Sequence, residues 1–285
     1  MPSPATYVSC NGMLVPAAEA RISVFNPAIY GAWGVYESMQ VVNGHIFEPL
    51  AHLRRLAHSA AIIELPLPAD LPSIHGWMKA VVHNYGGAGY DAPTFTIRLF
   101  LIGPDNGGET IAYIWGQPPN GYPAAYYASG AAAATFEAHR FLPEAKSLNA
   151  LASFMAQRHA RKMGVHEALL HHDCCLTEGS NSNLFAVVDG RVITPPHTEV
   201  LSGVTRDIVI RLAHENGIEL AESELPLAGI SGWQEAFITS TSRHVMPITT
   251  IDGRPVGSGA VGPITQRLRD LFEAYFASQV GQPLA

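Results

Sequence analysis

The chain has 285 residues, of which 47% are apolar and 14% are charged. This balance excludes a disordered chain, and the length allows one large domain or two ordinary ones. Acidic residues outnumber basic residues 24 to 17, giving a net charge of −7, so nucleic acid is not an expected partner. No apolar run reaches the ~18–20 residues of a membrane helix, so no membrane is expected.

Cysteine usage and the first residues bear on the cellular compartment. The chain contains Cys10, Cys174 and Cys175, an odd number that favours reduced thiols over a disulfide framework. Residues 1–7 show no basic region followed by an apolar stretch, so no signal peptide is expected. These features predict a cytoplasmic protein. The cysteines lack metal-ligand spacing, and no metal is predicted.

The N-terminal third is predicted to form a sheet with two helices. Asn-Gly pairs at 11–12 and 43–44 lie between β-rich runs and predict hairpins, because a type I′ turn needs positive φ at both positions. Apolar spacing and β-rich runs then predict two helices followed by two strands, at 52–65, 72–85, 94–102 and 110–115.

The rest of the chain is predicted to mix short strands with helices. Residues 117–124 are rich in proline and glycine and predict a linker, which separates a domain at 1–116 from one at 125–285. Strands are predicted near 124–128, 167–171, 183–188, 191–194, 236–239 and 248–251, and helices at 149–163, 205–215 and 262–277. The predicted fold class is therefore α+β with two domains.

Lysine is scarce, so a reaction that needs a side-chain amine has few candidate residues. The lysines are Lys79, Lys146 and Lys162. Lys146 stands between a β-rich region and a helix, where burial can lower the pKa of its amine and free it as a nucleophile. A surface lysine is the alternative interpretation of this position.

Three polar segments follow Lys146. In residues 176–184, Glu178 is the only acid, so this stretch is either an ordinary loop or one that places a carboxylate against a cationic ring nitrogen. Residues 202–206 open a helix, where Gly203 and Thr205 suit an anion site or, alternatively, plain helix capping. Residues 239–243 form a second hydroxyl-rich turn.

Together these segments resemble the fold-type IV pyridoxal-phosphate enzymes, a group that includes branched-chain and D-amino acid aminotransferases. The resemblance extends from about residue 30 to residue 271 and is carried by motifs at 30–37, 52–56, 146–149, 177–183, 202–206 and 239–242. It implies a small N-terminal α/β domain, a larger C-terminal β-barrel-like domain with helices, and pyridoxal 5′-phosphate as cofactor.

The resemblance also implies residue roles. Lys146 matches the lysine that forms a Schiff base with the cofactor and shuttles the substrate proton, and Glu178 matches the partner of the pyridine nitrogen. Arg55 matches the phosphate-binding arginine. The remaining implied cofactor contacts are Gly203, Val204, Thr205, Ser240 and Thr241.

The substrate pocket is implied by weaker matches. Arg98, on a strand that resembles one in branched-chain enzymes, matches a residue near the substrate carboxylate, whereas Phe100 stands where D-specific enzymes carry histidine. The other implied pocket residues are Tyr30, Tyr36, Trp115 and Ser242. Arg243 is either a second carboxylate contact near the cofactor phosphate or a loop cation. Three segments depart from the branched-chain pattern. Residues 33–38 look more like the D-amino acid and lyase branch, Thr96 replaces a tyrosine, and Arg243-His244 replace a small residue and a glutamate.

We therefore expect transfer of an amino group from a branched-chain L-amino acid to 2-oxoglutarate by a homodimeric enzyme. A D-amino acid or (R)-selective amine transaminase is the alternative within the family, followed by aminodeoxychorismate lyase. A non-catalytic binding module would not need Lys146, Glu178 and Arg55 together. A hydrolase using residues 171–174 is disfavoured, because adjacent strand residues point to opposite faces.

Overall fold

The protein is described by a computed structural model that covers residues 7–87, 94–105 and 108–281. Residues 1–6, which contribute to the expectation of no signal peptide, lie outside the described residues. The chain divides into two compact units. Unit one comprises Met1–Asn120, Ala145–Asn149 and Phe276–Ala285, and unit two comprises Gly121–Glu144 and Ala150–Tyr275.

This division differs from the predicted domain bounds in two segments. The chain passes from unit one to unit two at Asn120, inside the predicted linker, but Ala145–Asn149 and the C-terminal residues return to unit one. The first segment returns because Ser147 bridges to Val35 as an antiparallel partner. The second returns with Phe276, whose ring centroid lies 4.7 Å from that of Phe47. Both pairings join positions that are distant in sequence.

Unit one is built on an antiparallel six-stranded sheet with the order β2-β1-β6-β5-β3-β4. Its strands are β1 Tyr7–Cys10, β2 Met13–Pro16, β3 Gly34–Val42, β4 His45–Ile46, β5 Thr94–Ile102 and β6 Ile111–Gln117. Both predicted hairpins are present, and all four turn residues have positive φ: Asn11, Gly12, Asn43 and Gly44.

Two long helices form the core of unit one with this sheet. The helices of the unit are α1 Ala28–Gly31, α2 Pro49–Ile62 and α3 Leu71–Gly87. Alternate residues of β3 and β5, such as Val35, Met39 and Leu99, are buried with Leu53 and Leu56 of α2. The opposite face of the sheet therefore remains for other side chains, including those of the predicted substrate pocket.

Unit two contains a closed barrel of six strands. Strand β9 pairs with both β8 and β10, which closes the ring β9-β10-β14-β15-β7-β8. The barrel strands are β7 Ala131–Glu137, β8 Glu167–His172, β9 Cys175–Gly179, β10 Ser182–Val188, β14 Glu235–Ser240 and β15 His244–Ile251. Four strands extend it: β11 Arg191–Thr194, β12 Leu220–Glu222, β13 Leu225–Pro226 and β16 Arg254–Pro255. The larger barrel-like domain implied by the resemblance is confirmed.

One predicted strand is wrong. Residues 124–128 form a short helix, α4 Ala125–Ala128, and the strand begins only after Gly130, whose φ of +83° turns the chain. The other helices are α5 Leu151–Met163, α6 Val204–Glu215 and α7 Pro263–Gln279. In the part of the chain that the structure describes, no helix is long and apolar enough to cross a membrane.

Candidate active site

Lys146 is held by its backbone on the edge of strand β3. The Lys146 carbonyl accepts a hydrogen bond from Tyr36 N at 3.0 Å, and Leu148 N donates to the Gly34 carbonyl at 2.8 Å. On the other side, Lys146 N donates to Ser59 Oγ of α2 at 3.0 Å. The Nζ amine lies 4.5 Å from the centroid of the Tyr36 ring. A residue fixed in this way presents its amine at one defined place beside an aromatic ring.

Arg98 lies among aromatic side chains on the face of the sheet opposite α2 and α3. Tyr36, Phe100 and Trp115 lie on neighbouring strands, with centroid distances of 5.7 Å between Tyr36 and Phe100 and 5.0 Å between Phe100 and Trp115. The Arg98 guanidinium lies 5.5 Å from the Tyr36 centroid and 5.7 Å from that of Phe100. Tyr30 does not join this face, because it sits on α1 with 85% of its surface exposed.

Arg98 is a partly buried cation without a fixed counter-ion. Among the described residues it forms no ion pair, and its guanidinium lies over the rings of Tyr36 and Phe100. Burial lowers the pKa of Arg98, and the neighbouring Tyr36 and Glu37 offset part of that effect. A cation in such a place is stabilised by an incoming anion more than an exposed arginine would be.

Arg55 is bound by a fully buried carboxylate that the sequence analysis did not single out. Glu37 accepts hydrogen bonds from Arg55 Nε and Nη2, both at 2.7 Å, and lies 2.7 Å from His52 Nδ1. Burial alone would raise the pKa of Glu37, but Arg55 and His52 more than offset burial and hold that pKa well below its ordinary value. Burial lowers the pKa of His52, which therefore donates to Glu37 as a neutral ring.

Glu178 lies on a strand, not in the loop that the sequence analysis allowed. It belongs to β9 and pairs with Asn183 of β10, so the connecting loop is reduced to two residues. Its carboxylate accepts a hydrogen bond from Arg140 Nη1 at 2.7 Å and one from Leu201 N at 3.2 Å. Arg140 thus neutralises a carboxylate that is almost fully buried.

Gly203, Val204 and Thr205 form the N-terminus of α6, as predicted. Gly203 is the N-cap residue, and no side chain caps the helix, which leaves the first-turn N–H groups without intrahelical acceptors. A Cβ atom on Gly203 would collide with Asn183 Oδ1, so glycine is required by packing at this position. Within the described residues, Thr205 Oγ1 is buried and has no hydrogen-bond partner.

The turn between β14 and β15 carries Ser240, Thr241, Ser242 and Arg243. Arg243 N donates to Ser240 Oγ at 3.2 Å, which closes the turn, and Ser242 Oγ lies 3.1 Å from the Tyr122 hydroxyl. The Arg243 side chain is buried and forms an ion pair with Glu167 at 3.5 Å. The sequence analysis gave Arg243 as a possible carboxylate contact, and in the structure its side chain is paired with Glu167.

Each unit therefore brings together part of the predicted set. In unit one, Lys146 contacts Tyr36, which shares a face with Arg98 and Trp115, while Arg55 is bound to Glu37. In unit two, Leu201 links Glu178 to the start of α6. The residues that the sequence analysis missed are Glu37, His52, Arg140 and Glu167. Glu37 and His52 lie within the motifs at 30–37 and 52–56, but no local signal marks Arg140 or Glu167.

Comparison with known proteins identifies the family of the chain. The sequence matches the amino-transferase class IV family over residues 34–251. It is 30% identical to a D-alanine aminotransferase of Bacillus licheniformis over 95% of this chain and 98% of that protein. It is 32% identical to a putative branched-chain-amino-acid aminotransferase of Methanocaldococcus jannaschii, over 92% of this chain and 94% of that protein.

The fold is likewise similar to a solved structure. The T.th. branched-chain amino acid aminotransferase, complexed with N-(5′-phosphopyridoxyl)-L-glutamate, superposes with a TM-score of 0.86 at 28% identity and covers 98% of this chain and 95% of that chain. That complex contains a derivative of pyridoxal phosphate, the cofactor of the family. The chain thus belongs to the class IV aminotransferases and is a pyridoxal-phosphate-dependent enzyme.

Proposed function

We propose that this aminotransferase transfers the amino group of a hydrophobic, branched-chain L-amino acid to 2-oxoglutarate. The observation that carries the proposal is the face on which Arg98 lies among Tyr36, Phe100 and Trp115, beside Lys146. A cation surrounded by rings suits a ligand with a carboxylate and an apolar side chain. Phe100, in contact with both Tyr36 and Trp115, offers no hydrogen bond to a polar side chain.

The residues of unit two fit the phosphate of the cofactor. The N-terminus of a helix attracts anions. Among the described residues the buried Thr205 hydroxyl has no hydrogen-bond partner, so it can donate to a phosphate oxygen. We propose that Val204, Thr205 and Thr241 hold the phosphate. In unit one, Arg55 stays the predicted phosphate-binding arginine. The Glu37 carboxylate then serves to fix the orientation of the Arg55 guanidinium.

The chemistry of transamination assigns a task to each remaining residue. Bound pyridoxal phosphate supplies an electrophilic carbon and an electron-withdrawing ring. Lys146 Nζ would take the proton from the substrate α-carbon and pass it to that electrophilic carbon, and hydrogen bonds of its backbone fix the position of residue 146. Glu178, oriented by Arg140, stabilises positive charge on the ring nitrogen. The same residues act in reverse on the second oxoacid, which gives ping-pong kinetics.

A second candidate function is transamination of D-amino acids. It is favoured by the D-alanine aminotransferase of Bacillus licheniformis, which resembles this chain as closely as branched-chain relatives do. Both candidates use the same lysine and differ only in which side of the pocket receives the substrate carboxylate.

Absorbance spectra of the purified enzyme distinguish these candidates. We expect L-leucine to convert the cofactor to its amino form, and D-alanine and (R)-1-phenylethylamine to leave the spectrum nearly unchanged. Arg98→Gln should raise the KM for L-leucine by about 10- to 100-fold, the loss expected for a charge-assisted hydrogen bond. Conversion by D-alanine but not by L-leucine would overturn the branched-chain proposal and favour the second candidate.

We also propose a homodimer in the cytoplasm. Two groups of large apolar side chains are exposed on the chain: Leu151, Phe154 and Met155 follow one stripe of α5, and Val24, Phe25, Ile29 and Tyr30 surround α1. A second copy that covers these groups would remove them from water. Light scattering after size exclusion tests this, with a mass of two chains as the expected result and a single-chain mass as the contradicting one.

A further inference from the structure

The Arg243 side chain is engaged at each of its three nitrogens. Nε donates to His166 Nε2 at 3.2 Å, Nη1 donates to the Asn181 carbonyl at 3.3 Å, and Nη2 forms the 3.5 Å ion pair with Glu167. The guanidinium also lies 5.1 Å from the centroid of the Tyr122 ring. Arg243 could bind a substrate carboxylate only by giving up contacts that compensate its burial.

Glu167 in turn holds the turn between β9 and β10. Its carboxylate accepts hydrogen bonds from Ser180 N at 3.3 Å, from the Ser180 hydroxyl, and from the Ser182 hydroxyl at 2.9 Å. Ser180 and Asn181 are the two residues of that turn, and Arg243 binds the second of them. Glu167 and Arg243 therefore bind both residues of this turn, Ser180 and Asn181.

The turn controls the position of two segments that carry proposed cofactor contacts. Glu178 is the second residue before the turn, in β9, and Asn183 is the second residue after it, in β10. Glu178 accepts a hydrogen bond from Leu201 N, and Asn183 Nδ2 donates to the Leu201 carbonyl at 2.8 Å. A shift of the turn would move Glu178 and the segment that leads into α6 together.

Arg243 itself belongs to a third segment, the β14–β15 turn that carries Thr241. Its backbone closes that turn on Ser240, while its side chain reaches the β9–β10 turn. His166 fits the network as a neutral acceptor, because burial and the charge of Arg243 lower its pKa. One buried ion pair thus connects the segments that carry Glu178, Thr205 and Thr241.

We propose that Arg243 is a positioning residue, which together with Glu167 fixes the Glu178 hairpin and the Thr241 turn for cofactor binding, and does not bind substrate. This inference rests on the proposed roles of Glu178, Thr205 and Thr241. The family pattern has a small residue at this position. Arginine is tolerated there because its side chain turns toward Glu167 and forms these contacts.

The test measures cofactor affinity and substrate kinetics in four variants: Arg243→Gln, Arg243→Lys, Glu167→Gln and the double change Arg243→Gln with Glu167→Gln. The cofactor-free enzyme is titrated with pyridoxal phosphate, and KM is measured separately for L-leucine and 2-oxoglutarate. Arg243→Lys keeps the charge but loses the planar set of donors, so it provides the readout if the glutamine variant does not fold. Arg191→Gln, which breaks an exposed ion pair with Glu219, is the matched control.

We expect each single glutamine variant to raise the Kd of pyridoxal phosphate by about tenfold, the scale of coupling between residues of one network. The double variant should lose no more than either single variant, because both changes break the same pair. The ratio of the two KM values should stay as in the wild type. The control should match the wild type throughout.

Two results would overturn the positioning role. A selective rise in KM for 2-oxoglutarate in Arg243→Gln, with cofactor affinity intact and Glu167→Gln silent, would make Arg243 a substrate-binding residue. If the wild type binds pyridoxal phosphate tightly and all four variants bind it equally well, the positioning role is rejected and the proposed function stands. A wild-type enzyme that binds no pyridoxal phosphate would instead reject the proposed function and the positioning role with it.

Discussion

The two units hold their candidate residues by different physical means. In unit one, the side chains of Lys146 and Arg98 lie against aromatic rings through cation–π interactions, while backbone hydrogen bonds fix the position of residue 146. In unit two, Glu178 and Arg243 are fixed by buried ion pairs and hydrogen bonds to the backbone. Ring contacts tolerate small changes of shape, whereas a buried polar network fails when one member is lost.

This difference suggests a division of tasks within the enzyme. Under the proposed function, the aromatic face of unit one binds the substrate, and single side chains there could change its substrate preference because ring contacts are not directional. The network of unit two cannot change so freely, since each charge there compensates another.

Removal of the amine should have the largest effect. We expect Lys146→Ala to lower kcat/KM by at least about 10⁴-fold, the upper end of what one acid–base group contributes, and to change the visible absorbance of the bound cofactor. Lys162→Ala, on the exposed side of α5, is the control and should retain activity. Substantial turnover by the Lys146 variant would place the chemistry on another group.

Neutralisation of Glu178 tests unit two in the same assay. Glu178→Gln keeps the shape but removes the charge that pairs with Arg140, so Arg140 is left buried without its counter-ion. We expect kcat to fall by about 10²–10³-fold, the scale of one preorganised electrostatic contact. Steady-state kinetics that equal those of the wild type would show that Glu178 serves only to hold Leu201.

The cluster of Glu37, Arg55 and His52 is an exception within unit one, because it is polar and buried. Since the pKa of Glu37 is lowered in the folded state, its charge stabilises the protein above the ordinary glutamate pKa, and this contribution is lost as pH falls below it. Glu37→Gln should lower the free energy of unfolding at pH 7 by about 3–5 kcal/mol, the cost of breaking a buried pair.

Because the loss begins near the ordinary glutamate pKa and is complete only near the lowered one, urea unfolding at pH 7 and pH 4 detects its onset. The wild type should lose more stability between the two pH values than Glu37→Gln does, because the variant lacks the titrating carboxylate. Glu219→Gln removes an exposed acid that pairs with Arg191, and it should behave like the wild type. Equal losses in the wild type and Glu37→Gln would contradict the assigned charge state.

Local features of the fold could be predicted from the sequence, and long-range ones could not. The Asn-Gly turns and strand β5 follow from turn chemistry and alternation, which act over a few residues. The barrel closes through the pairing of β9 with β10, where Thr177, Glu178 and Gly179 are small or polar and carry no β-rich pattern. These residues form a strand because they pair with neighbouring strands, so their low β propensity wrongly suggested a loop.

The same limit applies to the site. The segments around Lys146, Glu178 and Gly203 could be found because their residue types suggest a chemistry. Arg140 and Glu178 are 38 positions apart, and Arg243 and His166 are 77 positions apart, so no spacing rule connects them. The sequence suggested a substrate contact for Arg243 because it could not show the buried acid that engages the side chain.

The central claim is that Lys146 carries the cofactor, and the scarcity of lysine makes it directly testable. Borohydride reduction of the wild-type enzyme with bound pyridoxal phosphate, followed by digestion and mass spectrometry, identifies the lysine to which the cofactor is attached. The chain offers only Lys79, Lys146 and Lys162. We predict that the added mass is found on the peptide containing Lys146. Its presence on either of the other lysines, or on none, would contradict the account.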